Sequence, residues 1–397
     1  MEIPSEADVL VIGVGPAGAW AAKRCAELGL KVVAVEKRAE IGSPKRCGEA
    51  ISKHGMERIG IEPRGPWIIQ EISGAIVYSP SGKSIKVDYD GPEGWIVERK
   101  LFDKHLASLA AAAGARIFAK TEARGFRRTE GGIVAELIDC CGKKREVAAK
   151  IIIAADGVES RVARQFGINT TNKPIDICAG AQYEMGNVKV QPKYIEFFFG
   201  NEQTAPGGYT WIFPKGKDTA NVGIGIRSPW SKRPAIEYLD EFIAKSPNLK
   251  EGSILEVNSG GVPVGGFLED MVADNLIVVG DASHQVNPIH GGGIPEAAVG
   301  GRLAAEVAAE AIREGDLSKK FLKRYDRIWT EERGNKLKKV LKLRMVIESL
   351  DDKDLDWLAE YLTGDDLVDF SHSDGLGRLA KILMKKPKLI MLAGKLM

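Results

Sequence analysis

Residues Asp8–Gly18, DVLVIGVGPAG, form an apolar run of strand length that breaks at glycine and passes into the alanine-rich pattern Ala19–Leu28. Strand, tight turn and helix in that order open a βαβ unit. Gly13 permits the turn, Gly15 leaves room for a pyrophosphate to approach the backbone, and Gly18 lets the helix pack close to the sheet. The phosphates then lie at the helix's positive end. Pro16 suits the first helical turn. A second strand, Lys31–Val35, ends in Glu36, placed to accept hydrogen bonds from adenosine ribose hydroxyls and to repel a 2′-phosphate.

A distant stretch answers this one. Leu276–Ile294, LIVVGDASHQVNPIHGGGI, reads as a buried strand Leu276–Val279, a turn at Gly280, and a helix beginning near Ile294. Two stretches so far apart that converge on one long cofactor imply a flavin-adenine dinucleotide site rather than a simple nicotinamide site. Asp281 can accept a hydrogen bond from the ribityl chain, and Ala282 lets the backbone come close. Gly291, Gly292 and Gly293 would turn unblocked amides and the helix N-terminus toward the flavin's pyrimidine end, favouring the reduced anion. His284 and His290 flank the run. Either can hold the cofactor, donate a proton, or fill the commoner structural hydrogen-bonding role.

A chain of 397 residues with 44% hydrophobic content can build more than one domain. A net charge of +2 gives no global field for nucleic acid, and no nucleic-acid module is recognisable. Cys25, Cys47, Cys140, Cys141 and Cys178 show neither metal spacing nor a disulfide framework. With no secretory signal at Met1–Glu6, a reducing, cytoplasmic setting is expected. No run is long enough to span a bilayer.

The pattern predicts a helix over Glu49–Ile59, strand-like segments at Glu71–Tyr78 and Ser84–Asp88, a strand Trp95–Glu98, a helix Arg99–Ala113 and a parallel strand Arg116–Ala119. Hairpins over Arg124–Ala148 turn at Gly131-Gly132 and Cys141-Gly142, and Lys150–Ala155 returns to the nucleotide-binding sheet, ending in Asp156-Gly157. From Asp176 to Ile226 the signals become antiparallel. Phe197, Phe199, Tyr209, Trp211 and Phe213 alternate, so each set points to one face, as a sheet core or as an apolar slot over the cofactor. The expected fold class is α/β: a discontinuous Rossmann-type FAD-binding domain (1–70, 95–170, 270–315), an antiparallel-sheet substrate domain (71–94, 171–269) and a C-terminal helical region (316–397).

VIGVGPAG, Glu36, the PKRCGE loop Pro44–Glu49, Glu98-Arg99, Asp156-Gly157 and GDASH together resemble the geranylgeranyl reductase family, within the para-hydroxybenzoate-hydroxylase-like FAD superfamily. YTWIFPKG at Tyr209–Gly216, followed by Gly223-Ile-Gly225, is similar to that family's aromatic substrate-pocket motif. The wider superfamily shares the FAD motifs, so the CGE loop and the YTWIFP segment carry the reductase assignment. The resemblance implies FAD contacts at Gly13, Gly15, Pro16, Ala17, Gly18, Glu36, Lys37, Arg46, Cys47, Gly48, Arg99, Asp156, Gly157, Gly280, Asp281, Pro288, Gly291, Gly292, Gly293 and Ile294. It implies a catalytic pocket at Cys47, Tyr209, Trp211 and Phe213, with no metal.

What this similarity implies is reduction of isoprenoid carbon–carbon double bonds, in archaeal-type enzymes those of geranylgeranyl groups on glycerol ether lipids. Hydride from reduced flavin would reach one alkene carbon and an acid would protonate the other. Cys47 near the flavin could donate that proton or tune the flavin, with Glu49 or Arg46 as neighbours; its alternative role is a loop cysteine capping the next helix. An FAD monooxygenase of the same fold and a non-catalytic prenyl-lipid carrier are the competing readings. Reduced ferredoxin, a deazaflavin and NAD(P)H are all compatible donors, since Gly260–Gly266 contains Pro263 and leads into no helix. Gly377–Met397 carries Arg378, Lys381, Lys385, Lys386, Lys388 and Lys395 with no acid, which suits either a peripheral membrane face or a helix packed on its own domain.

Overall fold

In the computed structural model, residues 2–202, 204–371, 376–394 and 396 are described. The opening strand Glu6–Ile12 lies between Val32–Val35 and Lys144–Ala154, all parallel, because its residues Val9, Leu10 and Val11 are fully buried with helices or strands on both sides. Leu276–Val278 adds in parallel beyond Lys144–Ala154, and Arg116–Phe118 beyond Val32–Val35. The hairpin Glu122–Thr129 and Gly132–Ile138 pairs with the same Lys144–Ala154 strand. That strand is one continuous element: Ala148 and Ala149 pair with the hairpin on one edge and with the opening strand on the other. The expected break before Lys150 is absent, since no turn residue interrupts Val147–Ala154.

The helices Pro16–Glu27 and Ile294–Glu314 pack directly on each other. A Cβ on Gly301 would stand 2.2 Å from the Ala17 carbonyl oxygen, and one on Gly280 2.9 Å from the Ala17 Cβ. Two distant glycines therefore permit the approach that brings the downstream segment onto the fingerprint helix.

A seven-stranded sheet runs Ser253–Pro263, Ile177–Gly186, Thr219–Ile226, Tyr209–Pro214, Tyr194–Phe199, Gly74–Tyr78 and Ser84–Asp88. It is antiparallel except where Tyr194–Phe199 pairs in parallel with Gly74–Tyr78. The single segment expected at Glu71–Tyr78 divides at Ser73: Ile68–Ile72 belongs instead to a three-stranded sheet with Gly94–Val97 and Ala50–Ser52. The helix expected from Glu49 begins only at Lys53. Glu49 has φ +74°, which no helix accepts, Ala50–Ser52 is a strand with Ile51 opposite Trp95, and Ser52 caps the helix through Gly55 N. Glu98 is not strand but the cap of Arg99–Ala112.

Beyond Glu314 the chain is helical, and Leu343, Val346, Leu379, Leu383 and Leu389 form a separate core against which Phe199 and Ile289 pack. The basic C-terminal segment turns its apolar side into that core. Three of its charges are answered: Arg378 pairs with Asp366, and Lys386 and Lys388 with Asp354. Lys395 lies outside the described residues. No helix among the described residues is long and apolar enough to cross a membrane.

Candidate functional site

The fingerprint turn, Glu36, the Pro44–Cys47 loop, Asp156-Gly157 and Gly280-Asp281 surround one cleft of about 440 Å³. Gly13, Gly15, Pro16, Ala17, Lys37, Arg46, Cys47, Arg99, Gly291, Gly293 and Ile294 also line it. The chain thus brings the two sequence stretches to one site. Gly18, Gly48, Pro288 and Gly292 do not line it. Gly18 serves packing: a Cβ there would stand 1.8 Å from the Gly13 oxygen. Pro288 is buried beside the cleft.

Several groups here are arranged for a ligand rather than for each other. Nothing lies within 4 Å of a Cβ built on Gly15, so the space before the helix start is open. Glu36 accepts from Val14 N and Arg38 N, which orients its carboxylate into the cleft. Asp156 accepts from Val162 N through Oδ2, while its buried Oδ1 has no partner, and burial raises its pKa. Asp281 is likewise pushed up by burial, against the lowering pull of Arg99. Such acceptors suit the hydroxyl groups of a dinucleotide. Arg99 is held charged by a bidentate pair with Asp103 at 2.8 Å, which outweighs its burial. At the rim, Lys37 and Arg46 share Glu159.

One expected feature differs. The Gly291 amide donates to Asn287 O and the Gly292 amide to His290 Nδ1, so both are used within the loop rather than left for a ligand. The close turn that positions Pro288–Gly292 requires these bonds. The helix start at Gly293-Ile294 has no side-chain cap, so its first amides are not answered by a capping side chain. Both histidines make hydrogen bonds within the protein: His284 Nε2 bonds Thr170 O, His290 Nδ1 accepts from Gly292 N, and the His290 carbonyl accepts from Tyr209 OH at 2.6 Å.

Against the loop that borders the cleft stand the aromatic residues of the seven-stranded sheet. Phe197 meets Tyr209 and Phe213 edge-on at 5.4 and 5.5 Å, and Trp211 lies between Tyr209 and Phe213 at 5.8 and 6.1 Å. At Gly48 the cleft loop comes close to this slab, since a Cβ on it would be 2.7 Å from the Phe213 ring. Cys47 is half-buried at the junction and accepts from Glu49 N at 3.2 Å. It does not cap the following helix, because Ser52 does.

Beneath the loop lies a buried ion cage that sequence reasoning missed. Lys215 Nζ is 2.9 Å from carboxylate oxygens of Glu49, Glu98 and Glu184. Lys45 joins Glu49, Glu184 and Glu256. The three Lys215 carboxylates lie within 4.8 Å of one another, a spacing a metal could use, but the ammonium already supplies the cation. Burial opposes charge on Glu98 and Glu184, yet their lysine partners hold both carboxyls below the usual range. A signal was available: Gln182 and Glu184 alternate with Ala181, Tyr183 and Met185, which enter the sheet's core, so the opposite face had to be polar.

A family model described as FAD dependent oxidoreductase matches residues 8–211, and one described as Geranylgeranyl reductase catalytic domain matches residues 176–262. Digeranylgeranylglycerophospholipid reductase 1 of Methanothermobacter thermautotrophicus is 44% identical, covering 99% of this chain and 98% of its own. The digeranylgeranylglycerophospholipid reductase of Methanocaldococcus jannaschii is 44% identical over 96% of both chains. A solved geranylgeranyl bacteriochlorophyll reductase-like protein from Thermoplasma acidophilum superposes with a TM-score of 0.89 at 36% identity, covering 99% of this chain and all of that one. A flavin-dependent brominase, at TM-score 0.71 and 19% identity over 89% of this chain and 94% of its own, shares the fold alone. The chain belongs to the geranylgeranyl reductase family of FAD-dependent oxidoreductases.

Proposed function

We propose that this enzyme reduces the carbon–carbon double bonds of geranylgeranyl chains on glycerol ether phospholipids. The observation that carries this reading is the aromatic slab packed on Gly48, next in the chain to Cys47, which lines the cofactor cleft. Bound FAD, once reduced, supplies hydride equivalents that the protein's own side chains cannot.

Gly13 and Gly15, with Pro16 and Ala17, would hold the pyrophosphate, Gly18 keeping the helix packed against the Gly13 turn, and Glu36 would hold the adenosine ribose. Lys37, Arg46, Asp156 and Gly157 would border the adenosine half. Arg99, Gly280, Asp281, Gly293 and Ile294 would border the flavin half, with Pro288, Gly291 and Gly292 shaping that wall. Tyr209, Trp211 and Phe213 would orient the prenyl chain and exclude water, which is most of what an unactivated alkene needs from the protein. Cys47 Sγ, at the junction of the two surfaces, would hold the proton for the second alkene carbon.

The test is single-turnover oxidation of the photoreduced holoenzyme by geranylgeranyl ether lipid. Wild-type protein should be reoxidised by lipid under anaerobic conditions, and a flavin that stays reduced would count against the reading. Cys47→Ala should slow the step about 10²-fold, the usual worth of a positioned acid; an unchanged rate would remove Cys47 from the chemistry.

The donor that reduces the flavin is taken to be reduced ferredoxin, a deazaflavin or NAD(P)H, which stopped-flow reduction by each would separate. Peripheral docking on the cytoplasmic membrane face is supported by Met384, Ile390 and Met391, all exposed, beside Lys381 and Lys385. Deleting the segment would strip Leu379 and Leu383 from the core, so point changes test it better. Replacing both Ile390 and Met391 by Asp should weaken anionic-liposome co-sedimentation by about tenfold or more, given about 1.5–3 kcal/mol for burying each side chain. Equal sedimentation would end the membrane proposal.

A further inference from the structure

The Pro44–Glu49 loop and the strand Tyr209–Pro214 are joined by a side chain that belongs to neither. Gln182 lies on the strand Ile177–Gly186 and is 4% exposed. It stands opposite Gly223, which stands opposite Trp211, so the three form one row across adjacent strands. Residues in such a row share a face of the sheet. A Cβ on Gly223 would stand 2.3 Å from the Trp211 ring. Only glycine there lets the indole lie across the intervening strand and reach Gln182.

The contact is directional at both ends. Trp211 Nε1 donates to Gln182 Oε1 at 3.0 Å, and Gln182 Nε2 donates to the Cys47 carbonyl at 3.1 Å. An indole N–H can only donate and a peptide carbonyl can only accept, so each end of the amide has a fixed role. Glutamate would offer two acceptors, and methionine would offer neither bond. One residue further on, buried Asn221 donates to Gly48 O at 3.2 Å and to Glu49 Oε2 at 2.8 Å. The loop is therefore gripped at three consecutive residues. Of these grips, the one on Cys47 is continuous with an aromatic side chain of the slab.

We propose that Gln182 is a positioning residue that locks the Cys47 carbonyl to the Trp211 indole, so the cofactor-side and substrate-side walls keep one spacing. This rests on the reading that Cys47 and Trp211 face the reacting alkene. A prenyl chain that displaces Trp211 would then displace Cys47 with it. The Gln182 amide is buried and satisfied at both ends, so breaking the bridge leaves its polar groups short of partners.

A double-mutant cycle on the holoenzyme decides it. Gln182→Met removes both bonds, Gln182→Glu turns an acceptor against the Cys47 carbonyl, and Trp211→Phe keeps a ring but loses the donor. Each Gln182 variant should lower kcat for lipid reduction by about tenfold or more with KM changed far less, since misplacement of reacting groups acts on the chemical step. Adding Trp211→Phe to a Gln182 variant should cost less than about twofold further, the non-additivity expected of residues in one network. Hydrogen–deuterium exchange over residues 44–50 should accelerate in both Gln182→Glu and Trp211→Phe, while exchange over Glu6–Ile12 stays constant.

Multiplicative losses in kcat, or loop exchange unaffected by Trp211→Phe, would overturn the proposal. If Gln182→Met does not fold, the Gln182→Glu and Trp211→Phe pair completes the same cycle. A wild-type enzyme that leaves the lipid unreduced would overturn the substrate reading instead, and the exchange measurements would then decide the coupling by themselves.

Discussion

Lys215→Met should lower the free energy of unfolding by about 3–5 kcal/mol, the usual result of removing one partner from a buried ion network. The lysine side chain is only 5% exposed and meets three carboxylates at 2.9 Å. Without it, Lys45 would still meet Glu49, Glu184 and Glu256, with Lys100 also on Glu256, and Glu98 would keep the Lys100 amide and the pull of Lys45. The cage ties the Cys47 loop, through Glu49, to the strand carrying Glu184 and to the turn after Pro214, so the loop should loosen first. Urea unfolding of both proteins measures the difference.

The pH dependence has a definite sign. Glu98 and Glu184 have folded pKa values below the unfolded glutamate value, so their contribution is present above that value and is lost as pH falls through the folded ones. Lys215 is raised far above its ordinary range, so it stays charged throughout and adds nothing to acid sensitivity. The wild-type advantage over Lys215→Met should therefore be full near neutrality and shrink on acidification below the usual glutamate range. A gap that stays constant from neutral to acid pH would show that the carboxylates are not what Lys215 holds.

The second large effect separates two glycines three residues apart. Gly15→Ala meets nothing within 4 Å and has φ −74°, so the polypeptide should fold normally. Its new methyl group would stand where the pyrophosphate approaches. Losing one charge-assisted contact there, about 1.5–3 kcal/mol, corresponds to roughly 10- to 100-fold in FAD affinity. Gly18→Ala places a Cβ 1.8 Å from the Gly13 oxygen and 2.9 Å from its carbonyl carbon. Helix and turn must part, and both melting temperature and flavin content should fall. Flavin-to-protein absorbance ratios with apoprotein melting curves read the contrast; equal flavin loss with equal destabilisation would remove the assignment of Gly15 to the phosphates.

The cofactor cleft was legible because its signals are local: a glycine turn between strand and helix, an acid at a strand end, a second strand and turn at Leu276–Asp281. The helix start at Ile294 was legible too, but the use of the Gly291 and Gly292 amides was not, since it depends on where Asn287 and His290 fold back. Glu49 was misread as helical because nothing in Ala50–Ile59 betrays that Ile51 pairs with Trp95. The ion cage and the Gln182 bridge join residues from five separate segments, and a buried lysine reads in sequence like any solvated one. Only the polar alternation of Gln182 and Glu184 pointed there. The basic C-terminal segment shows the opposite failure: composition displayed its charge, but not the acids at Asp351, Asp354 and Asp366 that answer it.

The central claim, FAD-dependent saturation of geranylgeranyl chains, is tested most directly by mass spectrometry of geranylgeranyl ether phospholipid incubated anaerobically with the holoenzyme and dithionite. The lipid should gain two hydrogens for each double bond reduced, a gain absent when enzyme or dithionite is omitted and strongly diminished in Gly15→Ala. Lipid recovered at its starting mass after the bound flavin has been shown to be reduced would contradict it.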